Sequence, residues 1–279
     1  HGIVSRSGVI ALSPTLDTVG TLTRSVRDGT IVLQAIAAMD KRDNASILFN
    51  FPKILDKLEE GMINLRIGWP TNYFFEDTDR TVSDGIEKIF HLMGQLGAKC
   101  IDVDVPGIET ANAMTMLITA VEGASLHEKT ILEKYSAYGE QTLARLLVGL
   151  FVPAHDYNNA LAYRAIFAKQ VLAETFEKVD AVITPVWPYP IPTIEESDLG
   201  TNPDAAHMIL QSGHNTRPVN YLGFPAVNIP IGFDKNGLPA SIQLIGAPFT
   251  EEKLLRIART LERELNFWSV EPRLSALTK

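Results

Sequence analysis

One stretch near the C-terminal end, Thr216–Gly246, restricts the fold of this chain more than any other. It contains two short apolar runs, Ala226–Ile231 and Ala240–Ile245, and such runs are typical of strands. Between them, Asn236-Gly237 favours a tight hairpin because both residues tolerate positive φ angles. Proline lacks a backbone N–H and is best tolerated at or near strand ends. The prolines expected at such positions are Pro218, Pro225, Pro230 and Pro239. The stretch therefore predicts a β-hairpin.

A β-α-β unit is predicted earlier in the chain. Leu65–Trp69 reads as a strand, Val82–Leu96 repeats apolar residues on one helical face, and Lys99–Val105 alternates apolar with acidic residues. Two strands joined by one helix are expected to lie parallel, with a right-handed crossover. Asp102 and Asp104 share one face of the second strand and could pass for paired catalytic carboxylates. Alternation on a half-exposed strand explains them more simply.

Helical periodicity and composition predict most of the remaining elements. An N-terminal helix follows an N-cap at Thr23 or Ser25 and continues to about Met39. Asp180–Thr184 is a short buried strand that leads into a proline-rich loop. The other helical segments are predicted over Pro52–Glu59, Thr110–Val121, Leu126–Val148, Tyr157–Lys178 and Glu251–Leu265.

The composition limits the classes of function. The chain has 279 residues, of which 46% are hydrophobic and 21% charged, as is typical of a globular protein with one large or two smaller domains. Its formal net charge of −8 argues against nucleic acid as a main partner. The sequence has no run of about 18 apolar residues, so we expect no membrane-spanning segment.

Cysteine and histidine do not indicate a redox centre or a metal site. A single cysteine, Cys100, excludes an internal disulfide and favours a reducing, cytoplasmic location. Its apolar surroundings in the sequence predict a buried, unreactive thiol. His127-Glu128 lacks the second histidine that a zinc-binding helix needs, and His155 with Asp156 stands where a helix begins. We therefore expect neither a metal nor a cofactor.

Two groups of motifs carry a resemblance to a known family. The C-terminal stretch reads T-x-P-x-N-x-x-G-x-P-A, then P-x-G, then G-L-P-x-x-x-Q-L-I-G. The N-terminal passage reads G-I-V-S-R-S-G-V-I-A-L-S-P-T-L-D-T-V-G-T-L-T-R-S-V-R-D. Both resemble passages of the amidase signature family of hydrolases, in the same order. Asp17 and Arg24 lie in the second passage, where we interpret them as structural residues at a turn and a helix start.

The resemblance implies an α/β fold with a mixed β-sheet between helix layers, and hydrolysis of carboxylic amides. The family uses a Ser–Ser–Lys triad, because a serine hydroxyl is a weak nucleophile until a positioned base removes its proton. Its nucleophile lies in a G-G-S-S-G-G-S-type stretch, which is absent from these 279 residues. No catalytic residue is assigned. We expect residues 1–279 to be the C-terminal portion of one amidase domain, with the catalytic groups in an N-terminal part of the same polypeptide.

Three functions stay open on these grounds. The chain is part of an amidase that acts on a small-molecule amide, or a binding or scaffold module that kept the fold without the chemistry. The third is a transamidase subunit of the same family, which acts on glutamine together with other subunits and charged transfer RNA. The acidic net charge does not favour that third function. By itself the chain is expected to be inactive, and to self-associate as a homo-oligomer through uncovered strand edges.

The candidate substrate-binding residues are Gly213, His214 and Thr216. They belong to the polar segment Gln211–Thr216, which we expect to enter the sheet near strand ends, where clefts of α/β folds open. His214 and Thr216 could exchange hydrogen bonds with a substrate, and Gly213 leaves room for it. The alternative is a helix over Ala205–Ser212 capped by Gly213, with His214 at the surface.

Overall fold

Five strands form one mixed sheet within residues 1–200, 202, 204–234 and 237–270, which are the residues that this computed structural model describes. They are β1 (Arg66–Pro70), β2 (Lys99–Val103), β3 (Ala181–Pro185), β4 (Ala226–Phe233) and β5 (Pro239–Ile245). Their order across the sheet is β2-β1-β3-β5-β4. Strand β1 is parallel to β2 and β3, whereas β5 is antiparallel to β3 and β4.

Helices cover both faces of this sheet. The α-helices are α1 (Val26–Ile36), α2 (Ile54–Lys57), α3 (Arg80–Gln95), α4 (Ile108–Lys134), α5 (Glu140–Gly149), α6 (Ala154–Val171), α7 (Ala205–Gln211), α8 (Arg217–Leu222) and α9 (Glu251–Leu265). A π-helical turn, Leu172–Phe176, continues α6, and 3-10 turns follow α4 at Tyr135–Ala137 and α9 at Phe267–Ser269.

Two apolar cores lie on the two faces of the sheet. One core joins the sheet to α1, α2, α3 and α9 and includes Ile67 and Ile242. The other joins it to α4, α6 and α8 and includes Val103. Because successive side chains of a strand point to opposite faces, the buried strand β3 contributes Ile183 to the first core and Val182 to the second. The predicted arrangement of a mixed sheet between helix layers is therefore confirmed.

The pairing of the strands confirms the predicted β-α-β unit and the predicted hairpin. Strands β1 and β2 are parallel, with Ile67 opposite Cys100, and α3 connects them. Strands β4 and β5 are antiparallel neighbours. In the turn between them Gly237 has a φ of 78°, a conformation that glycine adopts at little cost. Asn236, the other predicted turn residue, lies outside the described residues.

The N-terminal passage takes the structural roles expected for its charged residues. Ser25, one of the two predicted N-caps, accepts a hydrogen bond from the Asp28 N–H and starts α1. The Asp17 carboxylate accepts hydrogen bonds from the N–H groups of Leu12 and Ser13, at 2.9 and 3.1 Å. Arg24 donates to the Val270 carbonyl at 3.1 Å. Asp17 thus holds a local turn. The predicted end of α1 near Met39 is wrong, since the helix ends at Ile36.

The predicted boundaries between the middle helices are wrong. A break was expected between Val121 and Leu126, but α4 runs without interruption from Ile108 to Lys134. The small residue Gly123 lies inside α4 because it packs against α5: an added Cβ would lie 2.9 Å from Leu146 Cδ2. Close helix packing here outweighs the low helix propensity of glycine. The chain instead leaves the helix after Lys134, and α5 begins after Gly139.

Two of the predicted proline positions are also wrong. Pro218 lies in the first turn of α8, where a missing N–H is harmless, and not at a strand end. Pro230 lies within β4, at a shift of register between Pro230 and Gly232. Among the described strands β4 is at the edge of the sheet, and an edge strand with a bulge tolerates proline.

Cys100 lies in β2, the strand at the opposite edge of the sheet, and its predicted burial is wrong. Its thiol was predicted to be buried, but Cys100 is exposed and its Sγ donates to the Phe90 carbonyl at 3.3 Å. Partial burial nonetheless raises the pKa of this thiol. Asp102 and Asp104 are both exposed near the same edge, as expected for alternation on a half-exposed strand.

An ion-pair network ties three elements together at the start of β3. The Asp180 carboxylate accepts from Arg66 Nε at 3.2 Å and from Lys253 Nζ at 2.7 Å. Burial by itself would raise the pKa of the Asp180 carboxyl, but the hydrogen bonds from Arg66 and Lys253 outweigh burial and lower the pKa to about 2. The network therefore joins β1 and α9 to the residue that precedes β3.

The contact between α4 and α5 leads to a stability prediction for Gly149→Ala. An added Cβ would overlap the Ala120 carbonyl and lie 2.8 Å from the Ala124 Cβ. Overpacking of this kind should reduce the free energy of unfolding by about 1–3 kcal/mol. The matched control is Gly139→Ala, where an added Cβ meets no atom within 4 Å. Urea unfolding followed by circular dichroism measures both variants, and equal midpoints would contradict the packing argument.

A second prediction concerns Asp180→Asn and pH. Because the folded state lowers this pKa, the carboxylate stabilises the fold above its unfolded pKa of about 3.9 and loses that effect as pH falls towards 2. We expect the variant to lose about 1–2 kcal/mol of unfolding free energy at pH 7, allowing for solvent screening. The difference from the parent should shrink between pH 4 and pH 2.

The control for this experiment is Asp84→Asn, which removes an exposed carboxylate on α3. Unfolding by urea is measured for the parent and both variants at pH 7, 4, 3 and 2. A constant difference between Asp180→Asn and the parent over that range would show that the network does not contribute as described.

Candidate functional site

A buried asparagine places the predicted substrate-binding segment at the end of the sheet. Asn215 Nδ2 donates to the carbonyls of Phe74 at 3.3 Å and Pro185 at 3.1 Å. Phe74 lies shortly after β1, and Pro185 is the last residue of β3. The Asn215 carbonyl accepts from Gln243 Nε2 at 3.1 Å, and this nitrogen also lies 3.1 Å from Thr184 Oγ1. The segment therefore lies at the carboxyl ends of two parallel strands, where α/β folds commonly bind ligands.

The predicted secondary structure on either side of this segment is wrong. The segment was expected to lead into the sheet, but residues Arg217–Leu222, which follow it, form the short helix α8. Gly213, the predicted cap of the preceding helix, does not have a positive φ, and α7 ends at Gln211 with Ser212 as its C-cap. The segment is therefore a tight polar turn between two short helices.

His214 packs on the aromatic ring of Tyr73. The two ring centroids are 4.1 Å apart and the planes differ by 15°. The Tyr73 hydroxyl donates to the His214 carbonyl at 2.9 Å and lies 3.3 Å from His214 Nδ1. His214 is thus half-buried, in contrast to the alternative that placed it at the surface.

Burial and a neighbouring charge set the ionisation of this pair. Burial first, and then the positive charge of Arg217, lowers the pKa of His214 below its ordinary value. Burial raises the pKa of Tyr73. At neutral pH both side chains are therefore neutral. They can orient a bound molecule by hydrogen bonds, and neither contributes a charge to the site.

Gly213 and Arg217 approach each other closely within the turn. A Cβ added to Gly213 would lie 2.7 Å from Arg217 Nε and 2.8 Å from Arg217 Cζ. The guanidinium therefore occupies the space where a side chain at position 213 would lie. The room expected beside Gly213 for a substrate is therefore partly filled by Arg217.

Thr216 has a weaker link to its surroundings. Its hydroxyl lies 3.4 Å from the Gly213 carbonyl, within the same turn, and the residue is half-buried. The structure thus brings Gly213, His214 and Thr216 together, and His214 among them contacts a side chain of another element. Binding of a substrate by these three residues stays a prediction.

Tyr73, Asn215 and Arg217 were not predicted from the sequence to be site residues. A signal for Tyr73 was present, because residues that directly follow a strand of a parallel pair lie at the ligand-binding edge of a sheet. Tyr73 follows β1 by three residues and has a positive φ of 63°. Nothing comparable distinguishes Arg217, whose position depends on how the turn folds.

A separate cavity of about 440 Å³ lies beside the edge strand β4. Its lining includes Gly2, Thr18, Asn228, Leu254 and Glu251, from the N-terminal passage, β4 and α9. Gly213, His214 and Thr216 are not among its lining residues. This cavity and the predicted binding turn are therefore different places.

Two other kinds of site receive no support in the described part of the chain. Among residues 1–200, 202, 204–234 and 237–270, no three His, Cys, Asp or Glu side chains are grouped as a metal ion would require. No helix formed by those residues is long and apolar enough to cross a membrane.

The fold, together with the motifs, defines a class of protein. A family model described as Amidase matches residues 1–255, so the chain belongs to the amidase signature family. Among curated proteins, a glutamyl-tRNA(Gln) amidotransferase subunit of Myxococcus xanthus (strain DK1622) is 33% identical over 291 residues. This match covers 96% of the chain and 59% of that relative.

Solved structures agree with this assignment. The crystal structure of the corresponding glutamyl-tRNA(Gln) amidotransferase subunit from Thermotoga maritima has a TM-score of 0.77 at 30% identity, over 94% of this chain and 56% of that one. A vestigial protein complex linked to the origins of an s-triazine catabolic enzyme has a TM-score of 0.83 at 25% identity, over 94% and 56%. The chain therefore spans less than two thirds of the length of these relatives.

The positive charge of Arg217 lowers the pKa of His214, and this effect leads to a prediction for Arg217→Gln. Removing the neighbouring positive charge should raise the pKa of His214. In the parent this pKa should lie below about 6.5, the ordinary value for histidine. The contribution of the neutral ring to stability is then present above pH ~6.5 and is lost as pH falls.

NMR titration of the histidine Cε1 protons measures this pKa. The matched control is Arg27→Gln, an exposed arginine on α1, which should leave the His214 titration unchanged. If Arg217→Gln leaves the titration of His214 unchanged as well, the two side chains are not electrostatically coupled.

Proposed function

We propose that this chain forms the substrate-binding side of an amidase that hydrolyses the C–N bond of a small-molecule carboxylic amide. The match of the amidase family model over residues 1–255 is the observation that carries this proposal. The polar turn around His214 supports it, because the turn lies at the carboxyl ends of parallel strands, next to neutral hydrogen-bonding groups.

In this proposal the chain binds and orients the amide and does not supply the nucleophile. No G-G-S-S-G-G-S-type stretch is present in the 279 residues. Tyr73 and His214 are both neutral at neutral pH and already bonded to each other, so they are suited to orienting a substrate. The nucleophile and its base belong to another part of the same polypeptide, with which residues 1–279 form one domain. The acidic net charge and absence of disulfides fit a cytoplasmic enzyme that has no nucleic-acid partner.

A second candidate function is that of a transamidase subunit. The relatives with 29–33% identity carry the name of a glutamyl-tRNA(Gln) amidotransferase subunit, which favours this candidate. The two functions differ in the fate of the nitrogen: an amidase releases ammonia to water, whereas an amidotransferase delivers it to an acceptor held by partner subunits.

The test uses the whole product of the gene, including any residues that precede His1. We expect it to release ammonia from small amides without added subunits or transfer RNA, and we expect the 279-residue chain alone to be inactive. A dependence on partner subunits and a charged transfer RNA would favour the transamidase function. Turnover by the homogeneous chain alone, with one serine labelled by a sulfonyl fluoride, would contradict the proposal that this chain binds the amide and does not supply the nucleophile.

Substitutions in the turn test its role in substrate binding. In the whole gene product, His214→Ala and Thr216→Val should each change the ranking of amide substrates by kcat/KM while the fold is retained. His155→Ala is the matched control, because this exposed histidine lies at the start of α6. If both turn variants keep the parental kcat/KM for every substrate, the pocket lies elsewhere.

A further inference from the structure

Among the described strands, β4 has no neighbour on its outer edge. It is the last strand in the order β2-β1-β3-β5-β4, and β5 occupies its inner side. The edge of a sheet presents backbone N–H and C=O groups that can pair with a further strand. The cavity of about 440 Å³ lies beside this strand and is lined by residues 224–230 and by residues 17–26 of the N-terminal passage. Strand β4 therefore combines an uncovered edge with an adjacent cavity.

The hydrogen bonds to β5 show which backbone groups of β4 point outward. The Gly246 N–H donates to the Pro225 carbonyl at 3.0 Å, so these two residues form a hydrogen-bonded pair. Hydrogen-bonded and non-hydrogen-bonded pairs alternate along two antiparallel strands. Val227 therefore bonds to β5, whereas Ala226 and Asn228 direct their N–H and C=O groups away from it.

Two further features agree with an open edge. Pro230, which lacks an N–H, falls at the next outward-pointing position, where the missing N–H costs no bond to β5. The side chains of Ala226, Asn228 and Pro230 are exposed, so one face of β4 is uncovered as well. Leu22, which lines the cavity, is fully exposed. The cavity thus offers apolar surface next to outward-pointing backbone groups, and an added strand with apolar side chains covers both.

The relatives indicate what covers this edge. The match covers 59% of the curated relative and 56% of the solved one, so about two fifths of each relative lies outside it. His1 and Gly2 also line the cavity, so a preceding segment of the same polypeptide is attached beside β4. A covalently attached segment has a high effective concentration there, whereas a second copy or a separate peptide must first associate.

We propose that a strand from the part of the polypeptide that precedes His1 pairs with the outer edge of β4 and fills the cavity. Strand β4 then becomes an interior strand of a larger sheet. The assignment rests on the proposed function in one respect, namely that the preceding part of the gene product forms one domain with this chain. It does not depend on which reaction the whole protein catalyses.

Hydrogen exchange of single amides tests this pairing. In the 279-residue chain, the amides of Ala226 and Asn228 should exchange rapidly. The amides of Val227 and Ile229, which bond to β5, should be protected and serve as internal controls. In the whole gene product, Ala226 and Asn228 should exchange about a hundredfold more slowly or less.

Two outcomes of this measurement would overturn the proposal. One is equally rapid exchange of Ala226 and Asn228 in the chain and in the whole gene product. The other is protection of these two amides in the 279-residue chain that increases with its concentration, because that result assigns the edge to a second copy.

A matched pair of variants at position 228 tests the outward N–H. Asn228→Pro removes this N–H without removing a bond to β5, whereas Asn228→Ala keeps it. In the whole gene product, Asn228→Pro should accelerate exchange of the Ala226 amide about tenfold or more, and Asn228→Ala less than about threefold. Circular dichroism checks the fold of each variant, and the parent proteins supply the exchange comparison if Asn228→Pro does not fold. Equal protection of Ala226 in the two folded variants would overturn the proposal.

The outcomes separate this inference from the proposed function. If Ala226 and Asn228 become protected in the whole gene product but it hydrolyses no amide, the proposed function fails and the strand pairing stands. If the whole product hydrolyses amides while both amides exchange as rapidly as in the chain alone, the strand pairing fails and the amidase function stands.

Discussion

The arrangement of the candidate site depends on the buried side-chain amide of Asn215. Its nitrogen bridges the carbonyls of Phe74 and Pro185, and its backbone carbonyl accepts from Gln243. Phe74 lies shortly after β1, Pro185 is the last residue of β3, and Gln243 lies in β5. A buried polar group left without a partner costs about 1–3 kcal/mol, so a single set of hydrogen bonds fixes the turn against three strands. The positions of His214 and Arg217 follow from that attachment.

The same attachment determines the electrostatics of the turn. Because Gly213 lacks a side chain, the Arg217 guanidinium packs against the backbone and stays partly desolvated. Its charge helps to keep His214 neutral, and the His214 ring then stacks on Tyr73 as an uncharged partner. One fixed positive charge beside a neutral hydrogen-bonding pair is suited to holding a polar ligand by hydrogen bonds. It is less suited to proton transfer, because both neutral groups have pKa values displaced away from neutrality.

Much of the fold could be predicted because local sequence signals and tertiary packing agree. Helix α9 has the predicted bounds, Glu251–Leu265, since its apolar stripe faces the core and polar residues surround it. The predictions failed where packing overrides propensity. A helix break was predicted between Val121 and Leu126, but α4 continues through Gly123, which packs against α5. Likewise, the apolar run around Cys100 suggested burial, but β2 is an edge strand and leaves the thiol exposed.

The sequence alone determined the family, the mixed sheet between helix layers and the polar segment that contains Gly213, His214 and Thr216. These features depend on motif order and on short-range periodicity, which the chain carries locally. Only the tertiary structure decided that Tyr73 covers His214 and that Arg217 fills the space beside Gly213. Tyr73 and His214 are 141 positions apart in the chain, and no local pattern relates them. Their contact exists because parallel strands bring distant segments to one edge of the sheet.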